Sequence, residues 1–154
     1  MIYDPTEHPL LETHKLMIGS IVPRPIAFVS TLSKDGFENL APFSYFNGIC
    51  SNPPSIMFCP ARRGYDGKTK DTLNNIRDTE EFAVNIVSED FAEQMVSTST
   101  DFEPEVNEFE VSGLTPEPCQ KIARKKGSNI RFPRLSMPAI LNRINPYLKN
   151  IRKK

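Results

Sequence analysis

The stretch IVPRPIAFVSTLSKDGFENLAPFSYFNGI (residues 21–49) decides the fold. Its first part, through Leu32, is rich in β-branched and aromatic residues and is entered over two prolines, the pattern of a buried strand. Ser33-Lys34-Asp35-Gly36 follows, with the Asp-Gly signal of a tight hairpin turn. The chain then returns along residues 37–49, where prolines and glycine make the second half irregular. Strands joined by tight turns, with no crossover helix between them, are the beginning of an antiparallel sheet.

The flanking segments extend that pattern. Residues 5–19 place Leu10, Leu11, His14, Lys15 and Met17 roughly at helical spacing, predicting a short amphipathic helix closed by Gly19. NPPSIMFCPA (52–61) predicts a third strand entered through a Pro-Pro corner, and RRGYDGKTK (62–70) a basic, glycine-containing loop. DTLNNIRDT (71–79) predicts a short helix with Leu73 and Ile76 facing in, and EFAVNIV (81–87) an alternating strand. SEDFAEQMVSTS (88–99) predicts an acidic helix opened by Ser88, with Phe91, Ala92 and Met95 as its buried stripe. Residues 101–119 read as an acidic surface excursion ending at a Gly-Leu-Thr-Pro corner. The order is strand, strand, strand, helix, strand, helix: mainly β with short helices, an antiparallel barrel or sheet and not a doubly wound fold.

The chain of 154 residues is sized for one domain. Apolar content of 38% and charged content of 25% are ordinary, and fourteen prolines suit short strands and loops better than long helices. No apolar run approaches the length of a membrane span, and MIYDPTEH has no basic, hydrophobic leader, so a cytoplasmic soluble protein is expected. Cys50, Cys59 and Cys119 have no CxxC spacing and predict reduced thiols in a core or pocket wall, not a disulfide frame or zinc site. His8 and His14 are too few, and too far from the cysteines, to suggest a metal centre.

The net charge of zero conceals an asymmetry. Residues 1–120 carry 8 basic and 19 acidic side chains, a net of −11, while residues 121–154 carry 11 basic side chains and no acid. A basic block of this kind fits an arm for nucleic acid or an anionic membrane. Its aromatic residues, Phe132 and Tyr147, are sparse and no nucleic-acid motif accompanies them, which weighs against that reading.

No GxGxxG, Walker A, HExxH or GxSxG motif is present, and no histidine lies near a nucleophile. Three stretches remain for chemistry: Ser30-Thr31, the segment Asn39–Asn47, and Arg62–Thr72. At the third, Asp71, with Thr69 or Thr72, is suited to cap the helix that starts there. Arg62, Arg63, Lys68 and Lys70 converge on the same helix N-terminus, where free N–H groups and the dipole favour an anion. Arginine grips phosphate bidentately and lysine adds a point charge. An ordinary cap in a solvated basic loop and a phosphate site are both open readings. In NLAPFSYFNGI (39–49), Asn39, Ser44 and Asn47 interrupt apolar residues, and Pro42 removes a ladder donor. That pattern fits an irregular edge strand, or a backbone opened to a planar polar ligand between Phe43, Tyr45 and Phe46.

PRPIAFVSTLSKDGFENLAPFSYFNGI, then NPPSIMFC, then KDTLNNIRDTEEFAVNIV, together with the opening YDP and EFEVSGLTPEP, resembles the flavin reductase-like, FMN-binding split-barrel family. The resemblance covers residues 1 to about 119. It implies an antiparallel, Greek-key type split β-barrel, usually a homodimer, that binds FMN non-covalently between subunits. It implies transfer of electrons from NADH or NADPH, or from a protein donor, through the flavin to a free flavin, oxygen or another acceptor. By position, Ser30 and Thr31 would lie near the phosphate and ribityl side, and Asn39, Leu40 and Ala41 would offer backbone and amide groups to the ring and ribityl. Ser44 and Asn47 would sit along the same cleft, and Arg62, Lys70, Asp71 and Thr72 would hold the phosphate. No separate acid–base residue is implied, because the cofactor carries the hydride chemistry.

After Cys119 the chain reads QKIARKKGSNIRFPRLSMPAILNRINPYLKNIRKK, with weak alternation and prolines at 133, 138 and 146. The charge switch coincides with the loss of the family pattern. The expectation is the N-terminal part of an FMN-binding domain over 1–120 and a non-matching basic tail over 121–154, from a truncation or frame shift near residues 120–130. An incomplete barrel would leave strand edges unpaired. A flavin-binding protein of impaired activity, or a basic-tail interaction protein, is the alternative.

Overall fold

The structure, a computed structural model, describes residues 3–64 and 66–118, and the backbone of 131–133 and 137–143. Helix α1 (Leu10–Ser20) comes first, followed by strands β1 (Ala27–Leu32), β2 (Glu38–Phe43), β3 (Phe46–Ser51) and β4 (Pro54–Phe58). Helix α2 (Asp71–Thr79), strand β5 (Glu81–Ile86), a 3-10 turn (Glu89–Phe91) and helices α3 (Ala92–Ser97) and α4 (Glu108–Ser112) follow. Strands β6 (Pro116–Pro118), β7 (Arg131–Pro133) and β8 (Met137–Arg143) complete the described elements.

The antiparallel expectation holds. A four-stranded sheet runs in the order β2-β1-β5-β8, and two-stranded sheets pair β3 with β4 and β6 with β7. Every pairing is antiparallel. β1 lies between its hairpin partner β2 and the later strand β5, a non-sequential neighbour as a Greek-key connection requires. The β1–β2 turn closes where Asp-Gly marked it: Ser33 N–H donates to Phe37 O, and Gly36 takes φ +91°, open to glycine at no steric cost. Among the described residues the three sheets do not join into a closed barrel.

β1 is buried on both faces, which its near-continuous apolar sequence made legible. Ala27 and Val29 meet Phe43, Ile76, Phe82 and Val84 on one face. Phe28 meets Leu40, Phe91, Phe109 and Leu114 on the other. Each large side chain taken fully out of water adds about 1.5–3 kcal/mol. Phe58 of β4 stands between Phe43 and Phe82 with ring centroids 5.4 and 5.3 Å away, so aromatic packing ties the β3–β4 hairpin to the main sheet.

Several expectations are corrected. α1 starts at Leu10, and Leu10, Leu11 and Met17 are exposed, so its apolar stripe has no cover within the described chain. The strand expected over 21–32 begins only at Ala27, because Pro23 and Pro25 offer no N–H to a ladder. The irregular half of 37–49 is mostly strand: Phe46 opens β3, with a register shift between Gly48 and Cys50. In α2 the buried positions are Thr72, Asn75 and Ile76, so Asn75 takes the inward place expected of Leu73.

The acidic segment runs mostly along the surface as expected, but among its described residues Glu108, Phe109 and Leu114 turn inward and are buried. Asn107 caps α4 by accepting the Phe109 N–H at 3.0 Å, and Gly113 ends it at φ +70°. That short helix drives Phe109 and Leu114 into the apolar cluster. Cys50 and Cys59 are exposed and not in the core. Cys119, Tyr147 and most of 121–154 lie outside the described residues, but β8 within that span pairs with β5 from Glu81↔Arg143 to Ile86↔Met137.

Candidate functional site

Two cavities take up most of the residues that the sequence singled out; Ser30, Thr31, Leu40 and Arg62 line neither. The first is small and polar. It lies at the N-terminus of α2, is lined by Asn39, Ala41, Lys70, Asp71, Thr72 and Glu108 among others, and holds about 20 Å³. Arg63 and Asp101 complete its charged rim.

Lys70 is the N-cap of α2 through its extended backbone (φ −70°, ψ 152°), and its side chain makes no capping hydrogen bond. The capping role expected of Asp71 is therefore corrected. Asp71 is itself the first helical residue, past the position from which a side chain folds back onto the first turn. Its Oδ2 instead accepts from Arg63 Nη2 at 2.6 Å, and its charge still complements the helix dipole. Lys70 Nζ donates to Asp101 Oδ1 at 2.8 Å across the pocket mouth. Thr69 Oγ1 donates to Asn74 Oδ1 at 2.7 Å. Arg62 lies off the pocket, with Nη1 on Gly67 O at 2.8 Å; Arg63 is the arginine that reaches it.

Behind the pocket lies a buried polar network. Asn39 Oδ1 accepts from Thr72 Oγ1 at 2.7 Å and from Thr31 Oγ1 at 3.2 Å. Asn75 Nδ2 donates to Thr31 Oγ1 at 3.1 Å. Asn39 Nδ2 donates to Glu108 Oε1 at 2.6 Å, and Leu40 N–H to Glu108 Oε2 at 3.2 Å. Glu108 is 6% exposed. Burial pushes its carboxyl up from the usual 4.5 to about 7; its own N–H, the Leu40 N–H and the Asn39 amide oppose the rise, and the Asp71 charge adds to it. Thr31 is thus placed behind Asn39, and Ser30 is buried on the opposite face of β1, where Asn85 Nδ2 donates to it at 3.4 Å.

The second cavity is large and mainly apolar, about 760 Å³, between α1 and the β3–β4 hairpin. Ser44 and Asn47 line it with Tyr45, Phe46, His14 and Arg24. Tyr45 Oη lies 3.3 Å from His14 Nδ1, and Cys59 is on the wall, where a pocket thiol was expected. The predicted site is therefore divided: Asn39, Ala41, Lys70, Asp71 and Thr72 gather at the polar pocket, and Ser44 and Asn47 at the apolar one. The chain from Ala41 to Ser44 bridges them, about 10 Å of extended backbone.

The residues present fit FMN: Lys70, Arg63 and the first-turn N–H groups of α2 are donors of the kind that would hold a phosphate, and the mainly apolar cavity, with Tyr45 and Phe46 on its wall, has room for a flat heterocycle. Sequence reasoning missed Glu108, Asp101 and Asn75. Asn107 and Gly113, bracketing EFEVS at cap positions, carried a local signal for α4 and hence for Glu108.

A family model described as "Flavin reductase like domain" matches residues 17–133, reaching past residue 120. An uncharacterised protein of Aquifex aeolicus is 50% identical over 121 residues, covering 77% of this chain and 61% of the relative. The crystal structure of nitrilotriacetate monooxygenase component B from Bacillus cereus superposes with a TM-score of 0.75 at 33% identity, over 87% of this chain and 62% of that one. A 2-nitrobenzoate 2-nitroreductase of Pseudomonas fluorescens gives 0.71 at 31% identity, over 88% and 61%. The chain spans about three-fifths of the length of each.

Proposed function

This chain belongs to the flavin reductase-like family of FMN-binding split-barrel proteins, and on that premise we propose that it is an FMN-dependent oxidoreductase of the flavin reductase type. Electrons pass from NADH, NADPH or a protein donor to a flavin or another acceptor. The observation that carries the reading is the convergence of Lys70, Arg63 and Thr72 with Asn39 and Ala41 at one helix N-terminus. Bound FMN supplies the hydride and electron chemistry.

The residues of the chain bind and orient. Lys70 exchanges Asp101 for the phosphate, while Arg63 stays braced by Asp71. Asn39 is committed to Thr31, Thr72 and Glu108 and acts from behind the site, leaving the backbone around Ala41 to meet the ribityl chain. Ser44 and Asn47 give polar contacts on the rim of the apolar cavity, whose aromatic walls keep water from the ring. Arg62, Ser30 and Thr31 support the loop and strand on which these groups stand.

The working unit is a homodimer. Leu10 and Leu11 on α1, Ile21 and Val22 just after it, and Ile49 on the β3–β4 hairpin are more than half exposed, a surface that a second copy would cover. A cytoplasmic location accords with these reductants, and no helix among the described residues is long and apolar enough to cross a membrane.

The test is optical. Purified protein incubated with FMN and desalted is expected to retain a flavin absorbance band that bleaches on adding NADH or NADPH. Lys70→Gln is expected to weaken FMN binding at least about tenfold, the worth of a charge-assisted phosphate contact, with the thermal midpoint nearly unchanged. Protein that stays colourless with excess FMN overturns the reading.

A further inference from the structure

The polar pocket has one wall that the cofactor reading leaves unused. Glu108 reaches it from α4 around the edge of β2, and its two oxygens are taken by the Asn39 amide and the Leu40 N–H. Both Glu108 oxygens accept here, one from the Asn39 Nδ2 and one from the Leu40 N–H, so Asn39 turns its NH2 group toward Glu108. That orientation leaves Asn39 Oδ1 facing the Thr72 and Thr31 hydroxyls, which both donate to it. Thr72 is the second residue of α2, so the placement of the helix N-terminus against β2 runs through an amide whose direction Glu108 decides.

The charges around the carboxyl give it a second property. Facing the same pocket are Arg63 and Lys70 from the loop, Asp71 from α2 and Asp101 from the segment after α3. Arg63 is joined to Asp71 and Lys70 to Asp101. Among the described residues, Glu108 is held by amide and backbone donors and by no cation. An anion entering beside Lys70 and Arg63 adds like charge next to a buried carboxyl that burial already disfavours in its ionised form.

We propose that Glu108 is the positioning residue of this pocket: it directs the Asn39 amide that clamps Thr72 to β2, and it takes up a proton from solvent when an anion enters beside Lys70. The proposal rests on the reading of this pocket as the FMN phosphate site. Anion affinity then falls as pH rises through the Glu108 midpoint, because above it the proton must first be bound.

The experiment is an NMR titration of the Glu108 side-chain carboxyl in the full chain, assigned by its absence in Glu108→Gln. It is run without ligand, with inorganic phosphate and with FMN. The midpoint is expected to rise by about one pH unit or more with either anion, equivalent to about tenfold in affinity across it. In Glu108→Gln the Asn39 side-chain amide is expected to exchange with solvent at least tenfold faster. The Phe109 backbone amide, held on α4 by Asn107, keeps its rate, which separates lost positioning from an unfolded helix. FMN bound with the midpoint unmoved overturns the proposal and leaves the cofactor reading standing. A midpoint moved by phosphate in protein that refuses FMN does the reverse. No movement with either anion, or an unchanged Asn39 exchange rate, also overturns it.

Discussion

The two cavities are built on opposite principles. At the start of α2 the chain supplies its own polar partners: Asn39, Thr31, Thr72, Asn75 and Glu108 hydrogen-bond to one another behind a pocket that holds only about 20 Å³. Between α1 and the β3–β4 hairpin the chain leaves about 760 Å³ walled by Tyr45, Phe46 and Met17, with Leu10 85% exposed at its margin. The first region is specified from within and should resist change as a unit. The second has no cover among the described residues, so on the proposed reading its residues should matter for association and ligand capture more than for folding.

The sharpest way to break that contrast is at the hub of the network. Asn39→Ala strands the Thr72 and Thr31 hydroxyls and leaves Glu108 with a single described donor from β2, so urea unfolding should show a loss of about 3 kcal/mol. Leu10→Ala on the open side should stay within about 0.5 kcal/mol. Equal losses at the two sites would erase the distinction.

Acidity separates the regions next. The Glu108 carboxyl, raised from 4.5 to about 7, keeps a proton in the folded state that the unfolded chain has already released. Its contribution is therefore complete below about pH 4.5 and is lost as pH rises through about 7. Stability of the natural chain relative to Glu108→Gln should decline by up to about 3 kcal/mol between pH 4.5 and 7.5, read from parallel denaturant melts. A constant difference between the two proteins would contradict it.

Smaller effects refine the comparison. Asp101→Asn removes the carboxylate that competes for Lys70 at the pocket mouth, and FMN titration should show affinity raised several-fold, about 1 kcal/mol. On the apolar side, Met17→Glu should shift sedimentation toward monomer while moving the thermal midpoint by no more than about 2 °C. Smallest of all, Cys59 should react with a thiol reagent in the native protein and slow when FMN is present, because it is exposed on the cavity wall.

How much of this was legible follows from the same division. The Asp-Gly turn and the bounds of α2 depend on neighbours within a few residues, and their sequences state them directly; β1 is legible as a buried strand from its own apolar run, although its cover comes from residues as distant as Phe109 and Leu114. Lys70, Asp71 and Thr72 were placed at one pocket for the same reason. Glu108 was not, because its partner Asn39 lies 69 residues away and an acid in an acidic stretch looks solvated until the fold closes over it. α1 misled in the opposite direction: helical spacing of Leu10, Leu11 and Met17 marks an apolar stripe, but among the described residues nothing buries it.

The bond from Leu40 N–H to Glu108 also bears on the outer side of the main sheet. Among the described strands β2 is terminal there, and Leu40 stands opposite Ser30 with its N–H turned away from β1, toward where a further strand would lie. Such a free donor is what lets sheets of neighbouring molecules zip together. Here a side chain from α4 occupies it, doing with one carboxyl oxygen what a covering strand does with its carbonyls. A foreign strand approaching this flank would have to dislodge α4, and Phe109 with it, before its first rung could form.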